Sequence, residues 1–390
     1  MRWLIFAVLF LLIISCGNHH FSSLSVEPFS PDEERYGTPD RDFTTFRLTF
    51  AGDIMAHDVN YNRPPYAKIY EHVAPWLLSD DLSFGNLEFP CDPDKPLSNF
   101  PFFNVHPSYI EAAIYGGFDI FSLANNHIAD QGKISVEKTL DVMSELKKIY
   151  PILYSGLRET PNEEFFPESV TLDQGCRIGF LAVTAFLNCY TGKEYVHFVP
   201  YRSREKREEF LQILRDMTDD FDLFILSFHG GREYALSPIP EKKDFFHDCL
   251  NAGADIIWAH HPHVLQPVER VWQGGSVKLI IYSAGNFISG QIWSIDPEHP
   301  DPERVFTGDS ALFQVVVEQK RAGDAEASIR SVKPMLISNY RDPEYGMTVI
   351  PTKELLKKDI PREWTAYYAR RADEIKTKIF PKIRTDIPHP

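Results

Sequence analysis

The sequence predicts an α/β fold with buried sheets. Three observations carry this. From about residue 45 onward, short apolar runs alternate with amphipathic stretches. Several runs, such as "DLFILSF" and "VKLIIYSAG", are apolar almost throughout, as expected of strands covered on both faces. The stretches between them repeat apolar residues at spacings of three and four, the period of a helix with one buried face. Alternation of this kind places helices against sheets.

In chain order, the segment "MRWLIFAVLFLLIISC" stands apart from the fold. Arg2 supplies a positive n-region and Trp3 to Ile14 an apolar h-region, too short to span a bilayer comfortably but suited to a secretory signal. Its end, "IISC", resembles a bacterial lipobox in which Cys16 is lipidated; an ordinary signal or an uncleaved anchor are the alternatives. All of these put the rest of the chain in an exported compartment. Residues 17–44 are rich in Ser, Pro, Asp and Glu without periodicity and read as a tether.

The strand candidates that follow are "FRLTFAG", "LSFGNLEF", "FDIFSLA", "RIGFLAVTAF", "DLFILSF", "DIIWAH", "VKLIIYSAG" and "ALFQVVVEQ". Helical spacing appears in Val136, Leu140, Met143 and Leu146, in Phe210, Leu214 and Met217, and in Phe245, Phe246, Cys249 and Leu250. From about 350 the chain is polar and Lys-rich, and "REWTAYYARRADEIKTKI" reads as a peripheral helix.

Composition narrows the function. The chain has 390 residues, a formal charge of −15 and no basic run. Nucleic-acid binding, which needs clustered Lys and Arg, is disfavoured. Beyond Cys16 there are Cys91, Cys176, Cys189 and Cys249. Cys176 and Cys189 flank an apolar run whose ends, if extended, lie on the order of 25 Å apart, too far to pair. No cysteine spacing suggests a zinc–thiolate site.

The polar residues that end the apolar runs carry the chemistry. Asp53 follows "LTFAG"; Asn86 and Glu88 end the second run; Asn125, Asn126 and His127 follow "FSLA". His229 and then Glu233 follow "LFILSF"; His260, His261 and His263 follow "DIIWA"; Asn286 follows "LIIYSAG". In an open α/β sheet, the carboxyl ends of strands converge on one crevice. Six strands delivering carboxylates, amides and imidazoles there suit a divalent cation such as Zn, Mn or Fe. The set is large enough for two cations sharing a carboxylate, which about 3.5–4 Å apart clamp a phosphoryl oxygen and activate a water. If "HHPH" is locally extended, His261 and His263 share a face as ligands and His260 points away into a structural role.

The motifs "GDIM", "GNLE", "LANNHIADQG", "HGGREY", "HHPHVLQP" and "YSAGNF", in this order, resemble the CapA-like family of poly-γ-glutamate capsule-biosynthesis proteins. That family belongs to the calcineurin-like metallophosphoesterase superfamily. The resemblance covers roughly residues 45 to 300. It implies a four-layer αββα sandwich of the metallo-dependent phosphatase type over 45–320, with 321–390 as an extension packing on it. It further implies a two-metal site: Asp53, Glu88, Asn126, His229, His261 and His263 as ligands, Glu88 bridging, and His127 protonating the leaving group. Asp130 and Glu233 match the family pattern without an assigned role, and Asn125, His260 and Asn286 are accessory. The chain departs from the wider superfamily at Met55, where a His is usual. His57, two residues on, is either the ligand that compensates or a surface histidine.

Two functions follow as expectations. One is an exported, lipid-anchored, metal-dependent hydrolase of an anionic phosphoester or cell-surface polymer. The other is a non-catalytic subunit of a membrane complex for capsule assembly or export, which keeps the crevice for binding.

Overall fold

The computed structural model describes residues 43–172, 175–320 and 327–379. The leader with Cys16, and the tether up to residue 42, lie outside the described residues. The first strand begins at Phe43, slightly inside the expected tether.

Among the described residues, fourteen strands form two sheets. The first sheet holds β1 (Phe43–Ile54), β2 (Leu82–Leu87), β3 (Ile120–Ser122), β4 (Leu153–Ser155), β11 (Asn286–Ile288), β12 (Asp309–Lys320), β13 (Ser328–Asp342) and β14 (Gly346–Pro351). Its order is β14-β13-β12-β1-β2-β3-β4, with β11 paired to β1. The second holds β5 (Glu168–Thr171), β6 (Arg177–Thr184), β7 (Leu223–His229), β8 (Ile256–His260), β9 (Val268–Gln273) and β10 (Ser276–Ile281), in the order β5-β6-β7-β8-β10-β9. The longer helices are α1 (Pro107–Tyr115), α2 (Lys133–Ile149), α3 (Arg204–Thr218), α4 (Pro240–Asn251) and α5 (Arg362–Lys378).

Three apolar cores separate four layers, giving the αββα sandwich. One core packs α1, α2 and α5 on the first sheet, through Tyr109, Ile110, Met143 and Tyr367 against Ile54, Leu87 and Phe121. A second lies between the sheets, where Phe50 stacks on Phe84 at 4.6 Å and Trp258 of the other sheet closes on both. The third packs α3 and α4 on the outer face of the second sheet, through Phe210, Leu214, Phe245 and Cys249. The helical spacings read from the sequence are these buried stripes. Cys91, Cys176, Cys189 and Cys249 are all unpaired.

Residues beyond 320 do more than cover the domain. β13 pairs antiparallel with β12 and β14 with β13, so this part of the chain extends the first sheet. α5 is anchored by a buried ion pair: the Arg371 guanidinium donates to both carboxylate oxygens of Asp309 at the start of β12. Arg371 also lies 3.6 Å over the Tyr367 ring.

Close approach of backbone fixes two glycines. A Cβ on Gly52 would stand 1.9 Å from the Gly285 carbonyl oxygen, and Gly285 itself has φ +76°. The contact allows the Asp53 N–H to bond that carbonyl at 3.0 Å, which sets Asn286 beside Asp53.

The Arg371→Met variant leaves the Asp309 carboxylate buried without its partner, a loss of about 3–5 kcal/mol. Thermal unfolding should move down by several degrees; a melting curve superimposable on the parent's would contradict this role for the pair.

Candidate metal centre

Parallel register brings the strand ends together. Asp53 lies opposite Asn86 on one side and Asn286 on the other, and His229 lies opposite His260. Asp53, Glu88, His229, His260, His261 and His263 are all buried.

Glu88 sits at the middle of the cluster. Its Oε1 is 3.6 Å from His229 Nε2 and 3.8 Å from His263 Nε2. Neither Glu88 oxygen has a hydrogen-bond partner, and neither does His261 Nδ1. Burial, followed by the charges of Asp53, Glu233 and Asp130, pushes the Glu88 carboxyl well above its ordinary range. A buried carboxylate left without donors is costly, and a cation is the group that relieves it.

The other ligating groups carry suitable charge states. Burial raises the Asp53 carboxyl, but hydrogen bonds and charge from His260 and His263 outweigh it and hold it well below the usual carboxylate range. Burial pushes His229 and His261 well below the ordinary imidazole value, which favours the neutral, ligating form. His263 is raised: burial lowers it, but bonding to Asp53 prevails.

Two sets of ligand atoms meet at one carboxylate. Asp53, Glu88 and His263 form one group, and Glu88, His229 and His261 another, each within 4.8 Å internally. The Asn126 Oδ1 adjoins the second group, 2.7 Å from His229 Nε2. The exposed Glu233 forms a further group with His261 and His263. Carboxylate oxygens, an amide oxygen and imidazoles, with bare donor atoms at the centre, fit a divalent cation.

His127 stands at the edge of the cluster. Its Nδ1 is 2.7 Å from Asp130 Oδ2, and its ring meets Phe103 edge-on at 4.7 Å. That bond to a carboxylate puts the proton on Nδ1 and leaves Nε2 for proton exchange. Asp130 Oδ2 also accepts from the Phe103 N–H at 3.0 Å, which fixes it.

The remaining residues support this arrangement. Asn286 Oδ1 pairs with His263 Nδ1 at 2.9 Å, and its Nδ2 donates to the Thr307 carbonyl at 2.9 Å. Asn125 caps local backbone: its Nδ2 donates to the Leu87 carbonyl at 2.7 Å and its Oδ1 accepts from the His127 N–H. His260 lies 3.3 Å from Asp53 through Nδ1, packed edge-on against Trp258. Met55 is buried core, and His57 turns its Nδ1 to the Gly290 N–H at 3.0 Å instead of joining the cluster.

The extended geometry expected for "HHPH" is not what forms. His261 has φ +90° and His263 φ +57°, so the chain makes a tight bend after β8. Both rings still reach the cluster, 5.5 Å apart, because two left-handed residues reverse the chain around Pro262. Such backbone costs about 1–3 kcal/mol per residue and persists where the surroundings hold it.

Two partners, Asn188 and Lys242, escaped the sequence reading, and a third, Asn86, stands there as a strand-end residue without a role. Asn86 donates to Asp53 at 2.8 Å. Asn188 touches Asn126 at 3.3 Å and His127 at 3.2 Å, but it follows a run read as strand up to Phe186. Lys242 is fully buried, and its Nζ donates to the carbonyls of Gly230 at 2.9 Å and Tyr282 at 3.0 Å. Burial brings its ammonium down to about 7. Its spacing from Phe245, Phe246 and Cys249 marks the inner face of α4 and was the available signal.

A family model described as bacterial capsule synthesis protein PGA_cap matches residues 47–291. The capsule biosynthesis protein CapA of Bacillus anthracis is 28% identical over 348 residues, covering 85% of this chain and 77% of that protein. The PGA biosynthesis protein CapA of Bacillus subtilis is 26% identical, covering 72% of this chain and 70% of that protein. Among solved structures, a phosphatase from Mycoplasma pneumoniae overlaps 78% of this chain and 96% of its own, at 15% identity and a TM-score of 0.45.

Replacing Asn286 with Ala removes the acceptor that orients His263. Loss of such an orienting partner weakens metal binding about 10–100-fold. Titration with Mn or Zn, scored beside a thermal melt, should show this weakening; unchanged affinity in a folded variant would exclude the orienting role.

Proposed function

This chain belongs to the bacterial capsule synthesis PGA_cap family, and from that premise we propose that it is a two-metal hydrolase of the cell envelope, acting on an anionic phosphoester or surface polymer. One observation carries the reading: two ligand groups share Glu88, whose oxygens are buried and bare. Asp53, Glu88 and His263 would hold one cation; Glu88, Asn126, His229 and His261 the other. Bound there, Mn, Fe or Zn would supply Lewis acidity, polarising a substrate oxygen and lowering the pKa of a water.

The chain's own residues do the rest. His127, with Nδ1 held by Asp130, presents Nε2 to give a proton to the leaving group. Phe103 packs on that ring and Phe186 packs edge-on against His261 at 4.7 Å, so apolar surface excludes water on two sides. Asn188 accepts from the Asn126 amide at 3.3 Å and lies against His127 and its partner Asp130, which keeps the acid beside the ligands.

The non-catalytic assembly subunit remains the second reading, favoured by Met55. Its side chain is buried in the apolar core at the position where the superfamily pattern has a ligand. With one cation position short of a ligand, the site would hold an anionic polymer through its cations without activating a water to cleave it.

The lipid anchor belongs to this proposal. No helix among the described residues is long and apolar enough to cross a membrane. Replacing Cys16 with Ser should move the protein from the membrane fraction to the soluble exported fraction; retention of the variant in the membrane contradicts lipidation there.

The purified full-length chain should contain two equivalents of divalent metal and hydrolyse bis(p-nitrophenyl) phosphate. His127→Ala should keep the metal and lose about 10²–10⁴-fold in kcat. Metal-loaded protein without turnover on phosphoesters or polymer favours the assembly subunit.

A further inference from the structure

His57 stands beside the metal centre without joining it. Its Nδ1 accepts from the Gly290 N–H at 3.0 Å. A backbone N–H only donates, so Nδ1 is bare and the ring proton sits on Nε2. Among the described residues nothing bonds that Nε2, and the side chain is half-buried rather than sealed in. We propose that His57 orients the substrate: its Nε2–H donates to an oxygen of the anion held at the metal centre. The proposal rests on the reading above that this centre holds cations and takes an anionic substrate.

Two sets of contacts place the ring at the edge of the centre. Phe103 meets His57 edge-on at 5.2 Å and His127 edge-on at 4.7 Å, so both imidazoles share one phenyl ring. Through Gly290 the ring also reaches the ligands. The next residue, Gln291, accepts at Oε1 from Asn286 Nδ2 at 3.0 Å, and Asn286 pairs with His263. His57 thus joins the surroundings of the general acid to those of a ligand. Its backbone is fixed as well: the Asn60 and Tyr61 N–H groups donate to the His57 carbonyl at 2.8 Å and 3.0 Å. A donor held in this way loses little freedom when a substrate arrives.

Its charge state suits the place. Burial first, then the charges of His263 and His127, hold the imidazole down at about 3, so it is neutral at neutral pH. A cationic side chain here would repel the metal ions that the carboxylates gather. A neutral N–H donor binds an oxyanion without that repulsion. The same arrangement keeps His57 from acting as a ligand: the Nδ1 lone pair meets the Gly290 N–H, and Nε2 carries the proton.

The test separates the two ends of the ring. His57→Asn puts an amide oxygen where Nδ1 stands and keeps the Gly290 bond, but it has no N–H at the position of Nε2. His57→Gln supplies an N–H at that position and gives up the acceptor for Gly290. The readout is calorimetric binding of inorganic phosphate to the manganese-loaded full-length chain. His57→Asn should weaken phosphate binding about tenfold or more, the loss expected for one hydrogen bond to a charged group. His57→Gln should stay within about threefold of the parent, because the donor is retained. Both variants should keep the parent's metal content and melt as the parent does. Phosphate affinity unchanged in His57→Asn, or weakened as much in His57→Gln, overturns the proposal, as does loss of metal from His57→Asn. A loaded parent that binds no phosphate overturns the anionic-substrate reading and this role with it. Absence of phosphoester turnover, with the expected order of phosphate affinities, would count against the hydrolase alone.

Discussion

Glu88 is the constraint on which the site depends. Its carboxylate is completely buried and no donor reaches either oxygen. Folding tolerates such a group when it is protonated or when a cation stands beside it. The imidazoles of His229 and His261, which burial keeps neutral, surround it as lone-pair donors rather than as strong cations. The cluster thus stores an electrostatic deficit that divalent metal relieves, and affinity for metal and stability of the folded chain become linked.

Ligands from two sheets can meet there because the sheets are locked together close by. Trp258 of β8 donates its indole N–H to the Ala51 carbonyl of β1 at 2.7 Å. Ala51 is two residues before Asp53, and Trp258 two before His260. The packed rings of Phe50, Phe84 and Trp258 hold the same junction from the apolar side. A slip of either sheet would carry the carboxylates away from the imidazoles. The close passage of Gly52 against Gly285 does similar work for Asn286, and through it for His263.

Much of this was legible in the sequence. Apolar runs of strand length marked the strands that carry the ligands, and polar residues just past them marked the site, because parallel strands expose their carboxyl ends on one edge. Less visible were β4, β5 and β11, which are short, and β13, whose polar alternation and Pro334 hide a strand of the sheet edge region. The bend at His261 and His263 was misread because non-glycine residues seldom adopt positive φ, and spacing alone cannot reveal it. Asn188 had no periodic signal, since it sits in an irregular segment joined to the site only by tertiary contact. Lys242 did have one, its place on the inner face of α4, but a lysine among phenylalanines reads as surface until the fold shows which carbonyls it holds.

The proposed site would place two cations on either side of one shared carboxylate. Its most direct measurement is anomalous diffraction from crystals of the protein grown with manganese. Two peaks about 3.5–4 Å apart, one on each side of Glu88, are the predicted result. A map with no peak beside Glu88, or with a single ion held without it, would contradict the account.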